Sequence, residues 1–581
     1  MNYAALHHGG WLEYREALPD GRLRIRLRCA REDVRRVCLL HQGIYEEERF
    51  RRVFEETPMA LAARDRLHDW FQADYLPKDP RQCYYFRIED GENTVYLAQD
   101  GVKTEQEIAL PLSLQPFPYA YVYPPRPLAP WARGGVGYQI FPDRFRRVGE
   151  AARGIQPWEG QRYDQRSFFG GNLRGIIESI PYLKQLGIEL VYLTPIFLSD
   201  TAHRYNTFDY YQVDPMLGTA DDLKELSKKL HAAGIRLILD GVFNHCGLRF
   251  APFADAKRRG QDSEYYDWFF FDEKAQNGYR SFAYARYMPK LNLENPEAQA
   301  YFLQVARYWI RQADIDGWRL DVSPEVWPDF WRQFRKAIRQ EKPDAVMIAE
   351  CWDESREWVS GRDMFDGTMH YVLSRAIWRF FALGQMTLDD FDAAVNHAQM
   401  IYPSYLNDAQ WTFLSSHDTC RFLSRANGDG RAQRLAAFFQ MTAPGVPIVY
   451  YGDELGMTGG DDPECRRPMA WEKAEGNALL NYYQKLIALR RSLPVLRTGA
   501  FRTHLCGADG LYAYLREEGK SAALCVLCTG SERGERNLPL PEAMQKAKTL
   551  HEHMQGVDIE ATGGAVSLQL APGGCWVFTA L

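Results

Sequence analysis

Residues Arg22-Leu23-Arg24-Ile25-Arg26-Leu27-Arg28 alternate strictly between basic and aliphatic positions. That period of two predicts a β-strand with its arginines on one face, read as a solvated face. Tyr84-Tyr85-Phe86-Arg87-Ile88 and Thr94-Val95-Tyr96-Leu97 flank Asp90-Gly91 and predict a hairpin. Residues 1–118 thus read as a β domain, and the prolines Pro116, Pro118, Pro124, Pro125, Pro127 and Pro130 predict a stiff linker over 119–131.

Beyond the linker, short apolar runs alternate with amphipathic stretches. The expected strands are Gly137 to Phe141, Leu190 to Leu193, Leu237 to Asp240, Gly317 to Asp321, Ala345 to Glu350, a weaker one at Met369 to Val372, Trp411 to Leu414 and Val446 to Tyr450. Between them lie helical stretches such as Leu223 to Leu230 and Tyr301 to Ile310, and a last helical face at Leu479, Tyr483, Leu486 and Ile487. Eight β-then-α units predict an α/β fold, a (β/α)₈ TIM barrel spanning 132–500. The interval from Cys246 to Pro296 is too long for one connection and predicts a subdomain inserted after strand three. Alternating runs such as Ala522 to Leu527 predict a C-terminal β domain over 501–581.

Composition narrows the partners. A net charge of −6 over 581 residues gives no reason to expect nucleic acid or an anionic membrane. No apolar run is long enough to cross a bilayer, and the stretch from Met1 to His8 lacks the basic and apolar regions of a signal peptide. The 11 cysteines are odd in number and scattered from Cys29 to Cys575, which suits reduced thiols in the cytoplasm rather than a disulfide framework. Cys525 and Cys528 have no second pair to make a zinc site, and His551-Glu552-His553 lacks the spacing of a helical zinc motif.

Chemistry is concentrated where polar residues break out of the apolar runs, at the strand ends that form the active face of such barrels. Strand three runs into Asp240-Gly241-Val242-Phe243-Asn244-His245, strand four into Arg319-Leu320-Asp321, strand five into Glu350, and strand seven into His417-Asp418. Each alone could be a salt bridge or a helix cap. Together they gather carboxylates that repel one another, an arrangement that costs stability. Cleavage of a glycosidic bond supplies a reason, since it needs one carboxylate nucleophile and one protonated carboxylic acid. Arg319, two residues before Asp321 on the same strand face, is expected to keep Asp321 ionised, and the apolar company of Glu350 (Ala349, Cys351, Trp352) to keep Glu350 protonated.

These blocks resemble those of the α-amylase family of glycoside hydrolases, and within it the cyclomaltodextrinase, neopullulanase and maltogenic amylase subgroup. The resembling blocks are Asp240 to His245, Gly317 to Val322, Ala349 to Trp352 and Ser415 to Thr419, with Met288 to Asn292 and Gly456 to Pro468 favouring the subgroup. The resemblance implies Asp321 as nucleophile, Glu350 as acid/base and Asp418 as transition-state stabiliser. It also implies His203, Tyr205, His245, Arg319, His417, Trp352, Asp462 and Arg466 as sugar contacts, with α-glucan oligosaccharides as substrates. A β-sandwich at the N-terminus and a homodimer formed through it follow from the same likeness.

Two departures stand on the acceptor side: Pro324 where the subgroup has asparagine, and Asp353 where it has histidine. No cofactor is expected. Calcium is the one metal the resemblance raises, but Arg146 to Ala151 lacks the Asn/Asp cluster of many relatives, and Asn172 stands where an aspartate ligand is common. The alternatives are an α-1,6-glucosidase or trehalose-processing relative with the same acids, and a non-catalytic sugar-binding protein on the amylase fold.

Overall fold

The fold is that of a computed structural model, which describes residues 1–44, 54–79, 81–109, 114–119, 128–150, 154–160, 163–361, 363–507, 509–531 and 533–581. Most of the expected linker over 119–131, including Pro124, Pro125 and Pro127, lies outside the described residues. The chain forms two compact units. One comprises Met1–Pro127, Met386–Asn407 and Arg502–Leu515; the other Leu128–Gln385, Asp408–Phe501 and Arg516–Leu581.

The second unit holds eight parallel strands: β1 (Gly137–Ile140), β2 (Leu190–Leu193), β3 (Arg236–Gly241), β4 (Gly317–Leu320), β5 (Val346–Ala349), β6 (Gly367–Thr368), β7 (Trp411–Phe413) and β8 (Val446–Tyr450). Their order is β6-β5-β4-β3-β2-β1-β8-β7. A parallel bridge between Met369 and Trp411 closes β6 onto β7 and completes the barrel. Parallel strands covered on both faces bury every position, which is why these segments read as unbroken apolar runs.

The expected sixth strand at Met369 to Val372 is corrected. The strand is Gly367–Thr368, and Tyr371 opens the helix Tyr371–Ile377 instead. Thr368 donates its backbone N–H to Gln410 Oε1 at 2.7 Å, and Tyr371 is wholly buried under Trp352, their rings stacked at 4.2 Å. The β-forming side chains there are used for packing, not for a ladder.

Among the connecting helices, Ala220–Ala232 begins with a capping box between Thr219 and Asp222 and buries Leu223, Leu226 and Leu230. The last barrel helix, Ala478–Ser492, buries Tyr483, Leu486 and Ile487, while Leu479 is only half-buried. The insertion after β3 contains the helix Ala251–Arg259 and then folds back: Leu291 donates its N–H to Asn244 O, and Cys246 to Pro289 O, both at 3.0 Å. Met288 to Asn292 is thereby laid against the end of β3. Strands Ser521–Cys528, Cys575–Ala580, Thr549–Glu552, Val557–Thr562, Ala565–Leu570 and Gly534–Pro539 follow one another, in that order, in an antiparallel C-terminal sheet.

The first unit is a sandwich. The strand Glu55–Arg64 pairs through Glu55 to Met59 with Arg36–Gly43 and through Ala60 to Arg64 with His68–Tyr75, bending at a bulge and so joining two sheets. Leu23, Ile25 and Leu27 from one half and Val37, Leu39, Phe86 and Ile88 from the other form its core. The hairpin expected at Asp90-Gly91 is present, with Phe86 opposite Leu97. The solvated arginine face is corrected: Arg26 is 2% exposed and donates to Gln72 Oε1 and to the carbonyls of Glu13 and Tyr402. Arg24 pairs with both oxygens of Asp74.

Candidate active site

Arg319 lies at the centre of the barrel mouth. In the β3–β4 register its neighbour is Asp240, and Nη1 lies 2.9 Å from both Asp240 oxygens and from Asp321 Oδ1. Nη2 lies 2.9 Å from Glu350 Oε2. Three buried carboxyl groups therefore surround one guanidinium. One positive charge against three carboxyl groups in a desolvated pocket favours a proton within the set. An acid/base pair requires such a proton.

Burial pushes the Asp321 carboxyl well above the ordinary range, Glu350 adds to this, and Arg319 opposes it. The expectation that Arg319 keeps Asp321 ionised is corrected: its single charge is divided among three carboxyl groups, and it does not offset the burial of Asp321. Burial likewise pushes Asp240 up to about 6. The apolar setting expected for Glu350 is corrected too. Besides Arg319, the Val322 amide donates to Oε2 at 2.9 Å and the Trp352 indole N–H to Oε1 at 3.0 Å.

Burial favours the neutral form of the three histidines at the site, His203, His245 and His417. His417 Nδ1 accepts from Gln139 Nε2 at 2.6 Å, so Nε2 carries the hydrogen and meets the Tyr205 hydroxyl, which itself donates to Asp240 at 2.9 Å. Burial holds His417 and His203 well below the usual imidazole value and takes His245 down to about 3. The His245 ring stacks on Phe282 at 4.9 Å, and its buried Nε2 has no partner among the described residues. Neutral imidazoles with a free polar atom suit hydroxyl ligands better than anions.

Asp418 follows β7. Arg466 Nη2 lies 3.2 Å from its Oδ1 and His417 Nε2 lies 3.1 Å from its Oδ2, while Arg466 Nη1 pairs with Asp462 at 2.8 Å. A cleft of about 690 Å³ brings together Asp321, Glu350, Asp418, His203, Tyr205, His245, Trp352, Asp462 and Arg466. Arg319 and His417 are fully buried behind it, touching Asp321 and Asp418. Pro324 and Asp353 line the same cleft.

Gln165, Phe282, Tyr287 and Trp358 also line it and were not foreseen, being loop residues with no local pattern. Gln139 was missed as well, though it is the one polar residue in the run Tyr138 to Phe141 and could have been found by that signal.

Among the described residues, Arg146 to Glu150 and Asn172, where the resemblance raises calcium, do not fit a metal. Asn172 caps the helix Leu173–Glu178, its oxygen accepting from Gly175 N and its amide donating to Val148 O, each at 2.8 Å. Ala151 of that loop lies outside the described residues.

Barrel and site together define a (β/α)₈ protein with buried carboxyl groups gathered at the barrel mouth. The chain belongs to the α-amylase family of glycoside hydrolases: residues 139–499 match the α-amylase catalytic domain and residues 1–121 its N-terminal Ig-like domain. A cyclomaltodextrinase of Geobacillus thermopakistaniensis (strain MAS1) is 37% identical, covering 99% of this chain and 98% of its own. Neopullulanase 2 of Thermoactinomyces vulgaris is 37% identical, covering 98% of each chain. The solved structure of a cyclomaltodextrinase superposes with a TM-score of 0.92 at 33% identity over the whole of both chains. Among the described residues no helix is long and apolar enough to cross a membrane.

Proposed function

We propose that this enzyme is a retaining hydrolase of α-1,4-glucosidic bonds in cyclodextrins, maltooligosaccharides and pullulan, with α-1,6 bonds and transfer to sugar acceptors as secondary activities. The observation that carries the reading is the grouping of Asp321 and Glu350 on the two terminal nitrogens of Arg319. In the first step an Asp321 oxygen bonds to the anomeric carbon, the bond from that carbon to the leaving oxygen breaks, and the Glu350 proton moves to that oxygen. In the second, Glu350 takes a proton from water, whose oxygen displaces Asp321 and restores both groups. Asp418, held by Arg466 and His417, accepts hydrogen bonds from ring hydroxyls as the sugar distorts. His203, Tyr205, His245 and Trp352 hold the sugars near the bond cut, and Asp462 with Arg466 those further out.

The test is Asp321→Asn. It should fold and release less than about 1% of the wild-type sugar from cyclodextrin, pullulan and maltooligosaccharides, since no other group can form the glycosyl-enzyme. Retained turnover rules out the assignment. The relative rates of wild type on the three substrates rank them.

The eleven free cysteines support a reducing, cytoplasmic setting. The catalytic region extends over 132–500 in this reading, flanked by β domains at 1–118 and 501–581. A homodimer formed through the N-terminal domain completes the proposal, and sedimentation of the full chain at micromolar concentration tests it. Deleting residues 1–118 is not a clean test, because Met400 packs with Tyr14 and Trp70 and would be stripped of that cover.

A further inference from the structure

The trough that passes Glu350 does not end at the cleft. A second cavity of about 250 Å³ adjoins it and shares Pro324, Glu325 and Trp358 with it. Its remaining wall includes Phe270, Asn292 and Trp327. Three separate segments build it: the insertion, the loop after β4 and the loop after β5.

Its parts are held in place. Asn292 Nδ2 donates to Asp267 O at 2.9 Å, and Lys290 Nζ donates to Glu325 O at 2.9 Å. Glu325 Oε2 accepts from Asn244 at 3.2 Å, yet the side chain remains 49% exposed. Trp327 directly precedes the helix Pro328–Glu341 and is 44% exposed, although its neighbour Val326 is buried. A half-exposed indole next to a half-exposed carboxylate offers an apolar face and a hydroxyl acceptor together, the pairing that a sugar ring needs. The cavity is smaller than the roughly 300–1,000 Å³ of a self-sufficient ligand site, which suits an annex holding one further ring of a ligand already in the cleft.

We propose that the annex binds a glucosyl unit on the leaving-group side of the bond cut, and that Trp327 thereby sets a preference for longer glucans. The inference rests on the proposed hydrolase reading. The side follows from Glu350: it protonates the leaving oxygen, and the annex is built from the loops after β4 and β5 that flank Glu350. Asp418, Asp462 and Arg466 belong to other loops.

The experiment compares wild type, Trp327→Ala and Trp327→Phe on maltotriose and maltoheptaose. Trp327→Ala should lose about tenfold in kcat/KM on maltoheptaose, mainly through KM, and under about twofold on maltotriose, with Trp327→Phe recovering most of the loss. Equal losses on both substrates, or none on either, overturn the proposal. Titration calorimetry of maltoheptaose into Asp321→Asn, with and without Trp327→Ala, reads the annex without turnover. A weaker affinity in the double variant supports it, and an unchanged affinity overturns it. If wild type cleaves no glucan but the affinity difference is present, the hydrolase reading fails while the annex stands as a sugar site. If Asp321→Asn binds no maltoheptaose, both fall.

Discussion

The backbone amide of Val322 donates to Glu350 Oε2 at 2.9 Å, tying the end of β4 to the end of β5. Val322 achieves this in a left-handed conformation, φ 46° and ψ 43°, which costs a β-branched residue on the order of 1–2 kcal/mol. The turn comes directly after Asp321, so the two carboxyl groups proposed to react share one strained frame.

The first prediction concerns Glu350. Glu350→Gln should lower kcat/KM on maltotriose by about 10²–10⁴, because an unactivated sugar leaves poorly without a proton. An aryl α-maltoside with a nitrophenolate leaving group needs no such help and should lose far less. Equal losses on the two substrates would show that Glu350 is not the acid.

Double displacement predicts that the first sugar released has the α anomeric configuration. Early-time proton NMR on maltotriose reads this directly. A β product would mean that water attacks in a single step and that Asp321 is not a nucleophile.

A third prediction follows from Glu454, which is fully buried and accepts from the Tyr138 and Tyr182 hydroxyls at 2.7 and 2.6 Å while Oε2 has no partner among the described residues. Burial raises its carboxyl from 4.5 to about 7. Between those values the folded chain holds a proton that the unfolded chain has released, so this group's contribution to stability falls as pH rises through that window. Glu454→Gln removes the effect. Its melting temperature relative to wild type should therefore climb between pH 5 and pH 8, by an amount equivalent to about 2–3 kcal/mol. A difference that is flat with pH would contradict the assignment.

Turnover should be indifferent to EDTA. Asn172 brings a neutral amide rather than a carboxylate, and its oxygen already accepts from Gly175 N while its nitrogen donates to Val148 O. Inactivation by EDTA that calcium alone reverses would contradict this.

The barrel was legible because its strands are buried on both faces. Apolar runs such as Leu190 to Leu193 stand out, and Asp321, Glu350 and Asp418 appear where those runs stop. The sixth strand was misplaced because it is two residues long, too short to leave a pattern, and because the β-forming residues after it are spent on packing Tyr371. Arg26 misled for a related reason: alternation identifies a face but not what covers it, and here Gln72, Glu13 and Tyr402 do. The annex left no trace at all, since Phe270, Asn292, Trp327 and Trp358 come from distant loops.

By itself, the sequence determined the alternation of strands and helices and the placing of acids at the strand ends, because burial on both faces demands apolar runs and the acids stand where those runs stop. Only the tertiary structure decided how those acids share one cation. The register that sets Asp240 beside Arg319, and the loop that brings Glu350 to its other side, divide a single charge among three carboxyl groups. The energies that settle where the proton sits depend on separations of a few ångströms and on the exclusion of water. Neither quantity exists until the chain has folded.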